Sequence, residues 1–479
     1  MNKRIDELQL INEIVEGNLI PVQTNDGTKS FNLYNILKRL KIIENRCSKL
    51  DTSRIKDQYN CYSSIKSEIK DSDFSLAFCT DPHFNNSELR PKLYNSIAEI
   101  KMFNNVSDNL KINDKYILGD LLNGDYTNER LFDDMNEFKT VSKNCILIHG
   151  NHDDGSYIEN LQIKSPSSYG KHQKWKLEKD EIFNWYYKDN NVTEIDEITM
   201  AFYKDYEKEK IRLIHVNTSD LPDDRNDDNK LKYNSINTYG ISPRQVEWLN
   251  DHAFNFDSKG EESSEWKIII ISHIPLVENL AVDGDVQYPF YYGNDGYYEY
   301  MANSGIVRQM IRNINSGNKI TLASYLTEVP TTDLGYYYKT IESSSVKTIM
   351  TADMHSDNYK YFGSRYSIDG TNERFSINFN KNSHKVPVIA CISGHMHKDA
   401  YYNMGNNIHH FTLAGMANSA EDDTPDIEEY AYSFFRIKNN EIFWFRQGRN
   451  KCTIENPTLL NNVTNYGIEA FKNNRFLFE

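Results

Sequence analysis

The sequence predicts an α/β protein. Short apolar runs of strand length recur along the chain, and segments with helical spacing fall between them. Several of those runs end in Asp, Asn or His, and in open α/β sheets ligands sit outside the carboxyl ends of the strands.

The chain has 479 residues, 39% of them hydrophobic and 13% aromatic, with 32 Tyr, which marks a globular protein and not a disordered one. That length is enough for about two to four domains. The formal net charge of −15 disfavours broad electrostatic capture of nucleic acid, although a local basic groove stays open. No apolar run approaches the roughly 20 residues of a membrane span. The start, Met1 to Leu8, has basic residues but no apolar core after them, so no signal peptide is expected. The expected location is the cytoplasm or, as the alternative, a virion. Cys79, Cys145 and Cys391 lie inside apolar runs and are expected as packed, reduced thiols.

Residues 1–32 are a polar lead containing a turn signal, Thr24-Asn25-Asp26-Gly27. Leu33, Ile36, Leu40, Ile43, Cys47 and Leu50 then form a heptad seam. It fits either one amphipathic helix packed on its own domain or a short stalk joining copies of the chain. Residues 51–72 have no clear apolar face and read as a linker. The main domain starts with a strand at Phe74–Thr80, followed by Asp81-Pro82-His83. A helix is expected near 93–102, and then a strand at 116–118 ending in Gly119-Asp120-Leu121-Leu122-Asn123-Gly124. A helix near 128–141 leads to a strand at 145–148, which ends in His149-Gly150-Asn151-His152-Asp153.

A polar, aromatic insertion is expected at about 155–210, then a strand at 211–216. Ser242-Pro243 marks a helix start running to Trp248-Leu249, with Ser as the cap and Pro in the first turn. Ile268 to Ile271 form a strand ending in Ser272-His273. A second insertion is expected at about 277–385, and within it Ile306, Val307, Met310, Ile311 and Ile314 have helical spacing. Val386 to Ile392 form a strand ending in Gly394-His395-Met396-His397. Residues 432–437 and 442–445, joined across Asn439-Asn440, read as a hairpin. The expected organisation is an N-terminal extension at 1–72, a main domain at 73–450 and a tail at 451–479.

The strand-end residues Asp81, His83, Asp120, Asn151, His273, His395 and His397 can form one mixed oxygen and imidazole site. Two histidines one residue apart on an extended segment point to the same side, about 6.6 Å apart. Such donors suit Mn, Fe, Zn, Co or Ni better than Ca, and the lack of thiolate argues against a structural zinc. With two divalent ions and a bridging hydroxide, the two carboxylates leave the centre about one positive charge, which welcomes a phosphate.

These blocks resemble the calcineurin-like metallophosphoesterases. The family pattern is Asp-x-His, Gly-Asp-x-x-(Asn/Asp)-Gly, Gly-Asn-His-(Asp/Glu), a strand-end His and Gly-His-x-His. All five occur here in order, from Asp81 to His397, and Gln245, Trp248 and Leu249 match a helix common in the family. The resemblance implies two mixed sheets packed face to face, flanked by helices, with the site at one edge. It implies that Asp81, His83 and His397 hold one divalent ion, that Asn151, His273 and His395 hold the other, and that Asp120 bridges them. His152 would face the substrate and serve the leaving oxygen. Asp153 would either orient His152 or cap a turn.

The implied reaction is hydrolysis of a phosphate ester by a metal-bridging hydroxide, with two ions among Mn, Fe, Zn or Ni. The two insertions lean this towards a phosphodiesterase with a cap over a larger alcohol group. One alternative is a virion-associated protein acting on cell-wall phosphodiester polymers, its stalk at residues 33–50 making a homo-oligomer. Another is a nuclease, which the net charge disfavours. Asp353-Met354-His355 repeats the Asp-x-His spelling outside the family order and is expected to be structural. His409 and His410 are expected in a core strand, Glu421-Asp422-Asp423 in a solvated loop, and Tyr126 and Tyr157 either in packing or at the pocket.

Overall fold

The structure, a computed structural model, describes residues 19–24, 27–32, 66, 69–70, 73–84, 96–124, 128–155, 176–221, 235, 239–276, 280–282, 285–287, 301–328, 336–342, 345–349, 373–395, 397, 400–404, 407–416, 431–438, 440–447 and 475–477. The heptad seam at 33–50, Tyr126, Tyr157, Asp353 to His355 and Glu421 to Asp423 lie outside the described residues. So do most of the proposed linker at 51–72 and of the tail at 451–479. The chain divides into two compact units, residues 1–63 and 64–479. In the first, the turn signal in the polar lead closes a hairpin: Leu19–Thr24 pairs antiparallel with Gly27–Asn32, Thr24 opposite Gly27.

The second unit holds two mixed sheets. One is six-stranded, in the order Arg475–Leu477, Glu441–Gln447, Tyr432–Lys438, Phe74–Cys79, Asp114–Leu118, Cys145–Ile148. Its last three strands are parallel, and the helices Ser96–Asn109 and Asn128–Val141 lie in the two crossings that join them. The expected hairpin is present, with Lys438 opposite Glu441. The other sheet is seven-stranded, in the order Ala400–Asn403, His409–Thr412, Val388–Ser393, Lys267–Ser272, Ile211–His215, Phe202–Tyr206, Glu194–Ile195. Its centre is parallel and buried on both faces, which is why Ile268 to Ile271 read as an unbroken apolar run.

The alternation of side chains decides which face meets which layer. On the six-stranded sheet Phe435 and Trp444 point inward, where Phe411 of the other sheet meets them at 5.1 and 5.2 Å. Tyr432, on the opposite face, packs against Phe103 of the helix Ser96–Asn109 at 5.9 Å. A second tie between the sheets is polar: the Tyr116 hydroxyl donates to the Tyr206 hydroxyl at 2.7 Å, and Tyr206 donates to Asp114 Oδ2 at 2.6 Å. On the outer face of the seven-stranded sheet, Ile268, Ile270 and Val388 bury against Val246, Leu249, Ile306, Met310 and Ile314. Those partners come from the helices expected from Ser242-Pro243 and from the Ile306 spacing. Ser242 Oγ accepts from Gln245 N at 3.1 Å as the cap, and the second helix spans Ser304–Ser316.

One expectation needs correction. The segment at 155–210 is not an insertion throughout. Phe202–Tyr206 pairs with Ile211–His215 and Glu194–Ile195 extends it, so this stretch forms the edge of the seven-stranded sheet. It was hidden because an edge strand keeps a polar side: between the buried Phe202 and Tyr206 lie partly exposed Tyr203, Lys204 and Asp205. The excursion at 277–385 holds the helix expected from the Ile306 spacing, Ser304–Ser316, which packs in the core. It also holds a four-stranded antiparallel sheet, ordered Ser345–Ile349, Tyr336–Glu342, Ile320–Glu328, Glu373–Phe379.

Candidate metal centre

Every motif block sits just past the carboxyl end of a strand, and the backbone ties the blocks together before any side chain does. Asp81 N donates to Gly119 O at 3.0 Å, His83 N to Asp120 O at 2.9 Å and Phe84 N to Leu121 O at 2.9 Å, which prolongs the ladder between two parallel strands. Gly394 N donates to His273 O at 2.9 Å in the other sheet, and Met416 N reaches across to Thr80 O at 2.9 Å. The two sheets therefore meet at the site. Asp81, His83, Asp120, His395 and His397 all have positive φ, between 43° and 69°. Such backbone is costly for non-glycine residues and is stored at functional sites when the surroundings enforce it.

The donor atoms converge as two groups. Asp81, His83, Asp120 and His397 form one, and Asp120, His273 and His395 the other, the ligand atoms of each within 4.8 Å of one another. His83 Nε2 and His397 Nε2 face each other at 3.0 Å, and His397 Nε2 lies 3.2 Å from Asp81 Oδ1. Asp120 spans the groups, its Oδ1 at 3.2 Å from His273 Nε2 and its Oδ2 at 3.5 Å from His83 Nε2. Asn151 Oδ1 lies 3.0 Å from His273 Nε2.

The hydrogen bonds around these groups show what they are missing. His273 Nδ1 lies 2.7 Å from Leu118 O, which can only accept, so Nδ1 carries the proton in the neutral ring. Its Nε2 is then a lone pair aimed at two further acceptors, Asn151 Oδ1 and Asp120 Oδ1. Three acceptors meeting in a buried space need a cation between them. In the metal-free protein only a proton can supply it: burial opposes the charge, but the Asp120 carboxylate outweighs burial and pushes His273 up to about 9. Asp81 shows the same need. Its Oδ2 accepts from Thr80 Oγ1 at 2.6 Å and from His395 N at 2.9 Å, whereas the buried Oδ1 faces the imidazoles of His397, at 3.2 Å, and His83, at 3.9 Å. Burial would raise the Asp81 carboxyl, but the imidazole of His397 and its neighbours hold it down at about 2. Oxygen and imidazole donors so arranged fit a pair of divalent ions.

Residues 74–295 match the family described as calcineurin-like phosphoesterase. The chain carries a calcineurin-like phosphoesterase domain. It is a phosphoric ester hydrolase, and its reaction is metal-dependent. Two solved structures are similar to the chain. One is a dimetal phosphatase from Danio rerio, at 11% identity and a TM-score of 0.36, the match covering 78% of this chain and 96% of that one. The other is a purple acid phosphatase from yellow lupin (Lupinus luteus) seeds, at 13% identity and a TM-score of 0.35, covering 79% of this chain and 52% of that one. No curated protein matches the chain. No helix among the described residues is long and apolar enough to cross a membrane.

Within the phosphoesterase domain His152 sits beside the ligand groups, its side chain 20% exposed and its ring edge-on to that of His83 at 4.5 Å. Its Nδ1 lies 2.9 Å from Asn123 O, so the carbonyl of the second motif block orients the ring. Asp153 does not orient it. The Asp153 carboxylate accepts from Gly150 N at 2.7 Å, Leu122 N at 2.9 Å and Leu121 N at 3.1 Å, which makes it the cap that clamps one metal loop to the next.

Sequence reasoning missed several supports of the phosphoesterase site. Thr80 saturates one oxygen of Asp81. Tyr186 and Tyr187 lie on a short π-helical turn in the segment expected as an insertion. Tyr186 donates to Asp153 O at 3.2 Å, and Tyr187 accepts from His149 N at 3.1 Å while donating to His149 Nδ1 at 2.7 Å. Gly415, expected only as the end of a core strand, lies so close to the site that a Cβ there would stand 2.9 Å from Asp81 Cβ and 3.1 Å from His397 Cγ. None of these supports has a motif to announce it. A Gly just past an apolar run was the only hint.

Proposed function

We propose that this domain hydrolyses phosphodiesters at a dinuclear centre. Asp81, His83 and His397 hold one ion, Asn151, His273 and His395 hold the other, and Asp120 serves both. The observation that carries the reading is the meeting of acceptor atoms around His273 Nε2, which only a cation reconciles. The donor set suits Mn, Fe, Zn or Ni. Two divalent ions, when bound, supply Lewis acidity towards the phosphoryl oxygens and a nucleophile drawn from water at neutral pH.

The remaining roles belong to side chains of this chain. Asn151 is a neutral oxygen donor, so it completes the cage without cancelling positive charge. Asp120 directs one oxygen to each group and so fixes their separation. His152, oriented through Nδ1 by Asn123 O, presents Nε2 to the open edge of the cluster and holds or delivers a proton at the leaving oxygen. The excursion at 277–385 supports a larger alcohol group. It leaves the chain just after His273 and returns to the strand that ends at His395. Its strand Met301–Ala302 pairs with Tyr239–Gly240, and the Tyr239 ring stands against His395.

The test is turnover by metal-stripped protein re-supplied with Mn, Zn, Fe or Ni, using a bis-aryl phosphate and an aryl monophosphate side by side. Metal-dependent diester turnover, lost in Asp120→Asn and lowered about 10²–10⁴-fold in His152→Ala, is the expected result. Preference for the monoester would overturn the diester reading, and metal-independent turnover would overturn the centre itself.

A further inference from the structure

We propose that Ser235 and Tyr239 are positioning residues for one ion site only, the site formed by Asn151, His273 and His395. The inference rests on the ligand assignment above and goes beyond it, since neither residue belongs to the ligand set or to any motif block.

Ser235 Oγ donates to Asn151 O at 2.6 Å, across 84 positions of sequence, and both residues are buried, at 1% and 2% exposure. A pinned carbonyl fixes the peptide plane from which the Asn151 side chain departs, and so fixes where Oδ1 can lie. Tyr239, 2% exposed, sets its ring edge-on to His395, with centroids 5.6 Å apart and planes at 72°. His395 in turn stands edge-on to His273 at 5.2 Å. The tyrosine therefore holds the tilt of one imidazole of the site and, through it, presses on the second. Its own strand is anchored: Gly240 N donates to Thr218 O at 2.9 Å, and Tyr239 pairs with Met301. Ser235 and Tyr239, four positions apart, thus each hold a different ligand of one ion.

The other site is supported by different groups. Thr80 holds Asp81 from one side, and Gly415 approaches Asp81 and His397 from another. Asp120 is common to both sites and His395 N donates to Asp81 Oδ2, but the contacts of Ser235 and Tyr239 fall on ligands of the first site, and a ligand's partners in the protein tune its metal affinity by about 10–100-fold.

The experiment is calorimetric titration of metal-free protein with Mn(II), where the wild type is expected to take up two ions. His395→Ala identifies the binding step of the first site, and Asp81→Asn that of the second. Ser235→Ala is expected to weaken the His395 step by about 10–100-fold and to leave the Asp81 step within about twofold. Tyr239→Leu is expected to weaken the same step. The unaltered step is a built-in check that each variant is folded, because a general structural defect would weaken both. Two unchanged steps in Ser235→Ala, or two steps weakened equally, overturn the inference. A wild type that takes up no ion overturns the ligand assignment instead, and the two failures are told apart by that first titration.

Discussion

Asp81 divides its two oxygens between the protein and the site. Oδ2 is saturated by the Thr80 hydroxyl and by His395 N, and Oδ1 is left to the ligand cluster. Thr80→Val removes one of those two donors while keeping the shape of the side chain. Metal affinity at the Asp81 position should fall by about 10–100-fold, read as a weaker binding step in the same calorimetric titration, with the far-UV spectrum unchanged. At this scale the proposed ligands stand out in the sequence because each is a distinctive residue type directly after an apolar run, repeated in five blocks. Thr80, Ser235 and Asn123 do not. A threonine or serine hydroxyl resembles any other in sequence, and the contribution of Asn123 to His152 is a backbone carbonyl, which carries no residue identity at all. The role of Asp153 was open between orienter and cap because both need the same carboxylate. Only the three N–H groups pointing at it decide for the cap.

One strand edge shows how an element is fixed by a single buried charge. Arg212, 1% exposed on the strand Ile211–His215, makes a bidentate pair with Asp205 at 2.6 and 2.8 Å. It also donates to Ala253 O at 3.0 Å and Asn255 O at 2.9 Å. Its guanidinium lies between the rings of Tyr203 at 3.9 Å and Phe256 at 4.3 Å. The planar fork satisfies carboxylate and carbonyls at once, which an ammonium cannot do. Arg212→Ala should cost about 3–5 kcal/mol, because it leaves the Asp205 side chain, itself only 4% exposed, without its main partner. Arg212→Lys should recover little of this, both read from urea midpoints. The same element explains why sequence reading placed an insertion up to residue 210. Continuous apolar runs reveal central strands, but the Phe202–Tyr206 edge is held by a polar knot that has no hydrophobic signature. The helices Asn128–Val141 and Ser304–Ser316 were legible because one face of each is apolar at a regular spacing.

Acid should destabilise the whole molecule more steeply than its carboxylates alone would. His149, His215 and His410 are buried, and burial lowers each from 6.5 to about 3. The folded protein keeps them neutral, while the unfolded chain protonates them below 6.5. The unfolded state therefore binds more protons as the pH falls, and stability that is complete above 6.5 is lost progressively towards 3. The slope is about 1.4 kcal/mol per histidine for each pH unit. Urea midpoints of metal-free protein at pH 7.5 and 5.5 should show the drop, and His215→Gln should remove part of it. The fold class and the order of blocks were legible across the molecule. The pairing of the edge strands was not, since register is decided by contacts far apart in sequence.

The strands Lys267–Ser272 and Val388–Ser393 are parallel neighbours, with Ser272 opposite Ser393, although more than a hundred residues separate them in the chain. The excursion between them begins and ends at adjacent points. Closing such an excursion costs entropy only as the logarithm of its length, about 0.6 kcal/mol for each doubling. Leu322 and Ile377 pair across two antiparallel strands and belong to the core, so the excursion is closed a second time where these strands pair, from Ile320 opposite Phe379 to Tyr325 opposite Glu373. Everything beyond that pairing can lengthen, shrink or be exchanged while His273 and His395 stay where they are. The excursion is thus a place where the chain can change length without separating the two strand ends.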